Sequence, residues 1–194
     1  MTMAQRPRRA RRRGTAYRNE RSLEIWELSV IVETERLLLR RWNDQDVAEA
    51  VPIYAKPEVM EYIPGGVWSP ARTARAITRM RELDIEQGFG FYPVVVKSLG
   101  TIIGHCGLGR LEQTPEIEVA YILDSPHWGQ GYASEAVRAT IAYAFSKLKI
   151  SRIVAVAFPE NVRSIGVMRA AGMSPVGLAQ HFGATLVKYA VSVP

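Results

Sequence analysis

A strand-like run, Ile117 to Leu123, leads through a turn holding Gly129 and Gly131 into a long amphipathic stretch. That order limits the folds open to this chain more than any other feature. In the stretch, Ala133, Ala136, Val137, Thr140, Ile141, Ala144, Phe145 and Leu148 recur at the three-and-four spacing of one buried helical face. A β-branched run, Arg152 to Phe158, follows and reads as a second buried strand. A strand–helix–strand unit of this kind requires a sheet with a helix packed on it. The glycines fall where the strand turns into the helix. Free backbone N–H groups and the positive end of the helix dipole converge there, an arrangement that binds phosphate or pyrophosphate. A tight turn alone would account for two glycines, but the matching strand and helix on either side favour anion binding.

The rest of the chain supplies more sheet. Leu37 to Trp42 reads as a first strand, and Asn43 or Asp44 as the cap of a helix through about Tyr54. Pro57 opens a short helical turn that ends before Pro64-Gly65-Gly66. Ser69-Pro70 is an N-cap followed by proline at the first helical position, and Gly88 should stop that helix after Gln87. Phe91 to Lys97 and Thr101 to Gly109 form a hairpin, in which Pro93 marks an edge strand or a bulge. Asn161 caps a last helix that Gly172 ends. Strands around Val176–Gln180 and Thr185–Val191 close the chain. Leu23 to Val32 is apolar but broken by Glu24 and Glu27, and carries no assignable pattern.

The net charge of +6 is concentrated at one end. Residues 1–29 hold eight arginines and three glutamates, so the remaining sequence is nearly neutral. The expected division is therefore a basic, disordered arm or start-site extension at 1–29 and a folded domain at 30–194. Such an arm can meet phosphates, so nucleic acid is expected at most through it. It has no apolar core of a secretory signal, and no apolar run in the chain reaches spanning length. A single cysteine, Cys106, allows no internal disulfide and fits a cytoplasmic protein; it reads as a small buried hydrophobe. Cys106, His105, His127 and His181 have no ligand spacing, so no metal site is expected.

Trp128-Gly129-Gln130-Gly131-Tyr132-Ala133-Ser134-Glu135-Ala136 resembles the acetyl-CoA pyrophosphate loop of the GNAT superfamily of N-acetyltransferases. Gly131 and Ala133 fall on the last two fixed positions of that pattern, and Trp128 stands where Arg or Gln opens it. The form is similar to that of the branch containing ribosomal-protein alanine and serine N-acetyltransferases. Thr34-Glu35-Arg36-Leu37-Leu38-Leu39-Arg40 resembles that branch's opening strand, and Glu118-Val119-Ala120-Tyr121 its Glu-x-Gly-Tyr strand with Ala for Gly. Asn161-Val162-Arg163-Ser164 and Ala171-Gly172-Met173 resemble its last helix and its terminus. The resemblance implies an α/β fold with a mixed, mostly antiparallel central sheet and helices on both faces. In it a splayed strand pair, here Ile117–Leu123 and Arg152–Phe158, takes acetyl-CoA. The contacts it implies are Trp128 to Ser134 in the loop, Tyr121, Ile122 and Leu123 on the strand, and Asn161 and Ser164 on the last helix.

Acetyl transfer to an amine needs a base, a site for the developing oxyanion and a partner for the departing thiolate, but no metal. Glu118 is the candidate base. A strand alternation puts it on one face with Glu116 and Ala120, and burial would raise its pKa toward a useful value. A carboxylate facing solvent, or paired with an arginine, is an equal reading. His105, on a neighbouring strand, is the alternative base, although a satisfied core histidine fits it better. Ser164 is the candidate partner of the thiolate, against a reading as plain capping. Many members of the superfamily carry a tyrosine one turn later, where this chain has Met168, which has no proton to donate. Backbone N–H groups at Tyr121 to Leu123 would stabilise the oxyanion. Arg138 and Arg163 are further candidates for the phosphates. The expected acceptor is a protein N-terminus or a small-molecule amine, recognised by the early helices and the Tyr62 to Trp68 loop. The competing expectation is a GNAT-like module that binds acyl-CoA without turnover, or one that tethers to RNA through its arm. Monomer and homodimer are both open.

Overall fold

The structure, a computed structural model, describes residues 30–193. The basic arm at 1–29 lies outside the described residues, as does most of the apolar run from Leu23. The end of that run does take on structure: Val30–Glu33 is an edge strand, β1, antiparallel to β2 (Leu37–Arg40). The other elements are α1 (Asp46–Tyr54), α2 (Pro57–Met60), α3 (Pro70–Gln87), β3 (Phe91–Val96), β4 (Thr101–Arg110), β5 (Ile117–Leu123), α4 (Tyr132–Ser146), β6 (Arg152–Ala157), α5 (Val162–Ala170), β7 (Ser174–His181) and β8 (Ala184–Ser192). The eight strands form one sheet in the order β1-β2-β3-β4-β5-β6-β8-β7. Every neighbouring pair is antiparallel except β5 and β6.

Strand alternation sends the apolar side chains to two cores, one on each face of the sheet. Leu37, Leu39, Val94 and Val96 pack on one face with Ala136, Val137, Ile141 and Ala144 of α4 and Met168 of α5. Val95, Ile102 and Ile122 pack on the other with Ile53 and Tyr54 of α1, Met60 of α2 and Ile77 and Met80 of α3. The stripe expected on α4 is the buried one, although the helix ends at Ser146, before Leu148.

Local signals hold unevenly. Ser69 accepts the Arg72 N–H at 3.2 Å, and Gly88 takes the left-handed φ of 76°. Asn43 and Asp44 do not cap α1. Gln45 occupies that position without a side-chain bond, while Asn43 Oδ1 accepts the Gln45 N–H at 2.9 Å one turn earlier. The Asp46 carboxylate takes the Asn43 N–H and pairs with buried Arg40 at 2.6 Å, which draws the helix start to Asp46. Pro93 lies inside the sheet, and the register shifts between Pro93 and Val95, so the bulge is realised and the edge strand is not. Among the described residues no helix is long and apolar enough to cross a membrane.

Because β1 begins at Val30, deletion of residues 1–29 is expected to leave the fold and the affinity for acetyl-CoA unchanged. Circular dichroism, thermal melts and titration calorimetry of the truncated chain check this. A truncated protein that does not fold would make the arm part of the domain.

Candidate active site

β5 and β6 meet at one register pair, Glu118 opposite Val154, and then part. Beyond that pair the backbone of β5 has no strand beside it on one edge. The Asp124 N–H bonds the Ile103 carbonyl of β4 at 2.8 Å. Backbone groups alternate along a strand, so Ile122 also turns toward β4 while Tyr121 and Leu123 turn toward the gap. The expected trio of free N–H groups therefore reduces to two. The Leu123 carbonyl, stranded at the same gap, accepts the Trp128 indole N–H at 2.7 Å. That bond gives a structural reason for tryptophan at the start of the loop.

The gap opens into a cavity of about 460 Å³, within the usual range for a small-molecule site. Tyr121, Ile122 and Leu123 line it from β5. Trp128, Gly129, Gly131, Tyr132, Ala133 and Ser134 line it from the loop and the start of α4, and Asn161 and Ser164 from α5. Gln130 is turned away: its side-chain amide bonds the Pro126 carbonyl at 3.0 Å. Gly129 and Gly131 both have left-handed φ, 74° and 79°, which glycine adopts without strain. Gly131 is the residue before α4, so the free N–H groups of the first helical turn open toward the cavity.

Asn161 caps α5 by accepting the Ser164 N–H at 3.1 Å. The Tyr121 hydroxyl stands 2.9 Å from Ser164 Oγ and also donates to the Ser164 carbonyl, at 3.0 Å. Burial pushes the Tyr121 phenol well above its ordinary pKa, so it stays protonated. Tyr121 was expected to contribute its backbone, and its hydroxyl adds a side-chain partner for Ser164. Met168 is fully buried in the α4–α5 core, so the position where the superfamily often has tyrosine is a packing position here.

Glu118 does not line the cavity. Alternation along β5 places it with Ala120 and Ile122 on the face opposite Tyr121, at the point where the strands part. Its neighbour across the ladder is Gly109, against which the Phe91 ring lies; a Cβ at Gly109 would sit 2.8 Å from that ring. Among the described residues Glu118 has no hydrogen bond or ion pair. Burial in this apolar setting, helped by the charge of Glu112, raises its pKa to about 7. Glu116 is paired with Lys188. His105 is buried, its Nδ1 bonds the Tyr54 hydroxyl at 2.7 Å, and burial lowers its pKa to about 4. Those are the surroundings of a neutral core histidine. Burial raises the Cys106 thiol to about 12, which leaves it unreactive.

The early helices and the Tyr62 to Trp68 loop, expected on the acceptor side, do reach the cavity, although Glu58 and Glu61 were not singled out. Glu58, Val59, Glu61, Tyr62 and Ile63 line the far wall of the cavity. The Tyr62 ring lies 5.9 Å from that of Phe158, just past β6, so this segment bridges the open strands. Arg163 lines the cavity and stacks over Trp128 at 4.8 Å, whereas Arg138 bonds the Ala170 carbonyl at 3.1 Å. Among the described residues no group of three or more His, Cys, Asp or Glu is placed to hold a metal ion.

Comparison with known proteins gives a consistent picture. The acetyltransferase (GNAT) domain family matches residues 36–174. The uncharacterized N-acetyltransferase p20 of Bacillus licheniformis is 32% identical over 151 residues, covering 77% of this chain and 85% of its own length. The crystal structure of a GNAT-family acetyltransferase from Bacillus anthracis superposes with a TM-score of 0.74 at 27% identity, over 83% of this chain and 97% of that one. A ribosomal L7/L12 alpha-N-protein acetyltransferase in complex with coenzyme A shares the fold, with a TM-score of 0.72 at 19% identity over 84% of this chain and 98% of that one.

Proposed function

This chain belongs to the acetyltransferase (GNAT) family, and on that premise we propose that it moves the acetyl group of acetyl-CoA directly to a primary amine held in the same complex. The acceptor is a protein N-terminus or a small-molecule amine. The observation that carries this reading is Glu118, an unpaired, half-buried carboxylate with a pKa near 7 at the point where β5 and β6 part.

Bound acetyl-CoA supplies an activated acyl carbon and a thiolate leaving group. The loop glycines and the first turn of α4 hold its pyrophosphate, and the parted strands take its pantetheine arm. Glu118 accepts the proton that the amine gives up as its nitrogen bonds to the acyl carbon. The N–H groups of Tyr121 and Leu123, turned into the gap, stabilise the negative charge that develops on the carbonyl oxygen. The Tyr121 hydroxyl, which donates to the Ser164 carbonyl and lies 2.9 Å from Ser164 Oγ, holds that side chain at the cavity, and the serine hydroxyl gives a hydrogen bond to the sulfur as the carbon–sulfur bond breaks. Arg163, stacked on Trp128 at the cavity wall, adds positive charge for the phosphates.

The test is release of free thiol on mixing with acetyl-CoA and a panel of amines and peptide N-termini. Turnover with at least one acceptor is expected. Tight binding of acetyl-CoA with no thiol release from any acceptor would favour the non-catalytic acyl-CoA module.

Ser164→Ala is expected to lower turnover only roughly 2- to 12-fold, the worth of one net hydrogen bond of ~0.5–1.5 kcal/mol. Raising the pH should not rescue it, because amine ionisation is not what it affects. Rates at saturating acetyl-CoA across pH decide this; unchanged turnover would remove Ser164 from the leaving-group end.

A further inference from the structure

Arg36 and Glu135 lie 99 residues apart in sequence and meet beside the glycine loop. Arg36 sits in the turn between β1 and β2, and Glu135 in the first turn of α4. Arg36 Nε donates to Glu135 Oε2 at 2.7 Å, and Nη2 approaches the same oxygen at 2.6 Å. The Arg36 backbone N–H and the Thr34 hydroxyl reach Oε1 at 3.1 and 2.5 Å. The same guanidinium donates from Nη1 to the Gln130 carbonyl at 3.0 Å and lies 4.5 Å from the centre of the Tyr132 ring. A Cβ at Gly131 would come within 3.5 Å of Nη2. One arginine from the far end of the sheet thus touches Gln130 and Tyr132, on either side of Gly131.

The position of Glu135 poses an electrostatic problem. A carboxylate in the first turn stabilises the N-terminus of a free helix, but it repels an anion that binds to the same N–H groups. Here four donors hold both carboxylate oxygens on the Arg36 side, and the Glu135 side chain is only 14% exposed. Arg36 cancels its charge and fixes the loop backbone through Gln130.

We propose that Arg36 is a positioning residue for acetyl-CoA: by neutralising Glu135 and bracing the glycine loop, it leaves the start of α4 free to hold the pyrophosphate. This rests on the reading of the loop as the pyrophosphate site. The readout is the preference for acetyl-CoA over S-acetylpantetheine, which lacks the pyrophosphate, taken as a ratio of kcat/KM. Titration calorimetry with CoA accompanies it. Arg36→Met is expected to reduce both the preference and the CoA affinity by about tenfold or more, the effect of about 1.4 kcal/mol from an uncovered charge. Adding Glu135→Gln to that variant should restore most of the loss, since no charge is then left to cover. Arg36→Lys keeps the charge beside Glu135 but gives up the forked geometry that also reaches the Gln130 carbonyl, so a loss of about threefold, smaller than that of Arg36→Met, is expected.

A double variant no better than Arg36→Met would overturn the proposal. So would a tenfold loss in Arg36→Lys, which remains decisive if the Met variant does not fold. So, too, would a loss in Arg36→Met that is equal for acetyl-CoA and S-acetylpantetheine, which marks general damage. If the unaltered protein shows no preference between the two donors, the pyrophosphate reading itself falls. The other outcomes leave that reading standing.

Discussion

Replacing Glu118 with Gln is expected to lower turnover by roughly 10²- to 10⁴-fold, the usual worth of general-base catalysis. The change keeps the shape of the side chain and removes its capacity to take a proton. The pH dependence follows from the raised pKa. A base must be deprotonated to act, so the rate of the unaltered protein should rise with pH through an inflection near 7, where Glu118 loses its proton. The acceptor amine adds a further rise at higher pH as it becomes neutral. In the glutamine variant the inflection near 7 disappears and the rise due to the amine remains, so high pH partly restores activity. The measurement is the pH–rate profile of both proteins at saturating acetyl-CoA. Full activity with an unchanged acid limb would show that Glu118 is not the base, and bulk water would then be the leading substitute. His105 would need to leave its enclosed bond with Tyr54 to take the role.

The second large effect concerns the loop. Gly131→Val is expected to weaken acetyl-CoA binding by about tenfold to a hundredfold while the domain stays folded. The backbone at Gly131 has φ of 79°, and a Cβ there would make only an ordinary contact, with Arg36 Nη2. The penalty is therefore conformational, of about 1–3 kcal/mol for a side chain forced into the left-handed region. A β-branched residue is the worst case, and the loop relieves the strain by turning its N–H groups away from the ligand. Titration calorimetry on a variant shown by circular dichroism to be folded tests this. Unchanged affinity would count against the loop as the pyrophosphate site.

Much of the molecule was legible in the chain because its signals are local. The stripe of Ala136, Val137, Thr140, Ile141 and Ala144 is buried as the helical period predicts. Gly88, Ser69 and Asn161 act where their chemistry places them. The failures have a common form. Asn43 and Asp44 have the right chemistry for a cap, but Asp46, held by Arg40 from β2, set the start of α1 instead. Gln130 lies within the loop motif, yet its side chain folds back onto Pro126.

By itself, then, the sequence determined the order of the strands and helices from β2 onward, the apolar face of α4, and the glycine turn before it. Periodicity and turn chemistry span only a few residues, so they can be read without the rest of the chain. The tertiary structure alone decided which distant residues meet. It set the single pair at which β5 touches β6 before parting, and so which N–H groups of β5 face the gap. It brought the Tyr121 hydroxyl to Ser164, 43 residues away, and Arg36 to Glu135, 99 away. It left Glu118 unpaired against Phe91 and Gly109 while enclosing His105. Register and the environment of a buried charge depend on how both cores close at once, and no short pattern in the chain encodes that.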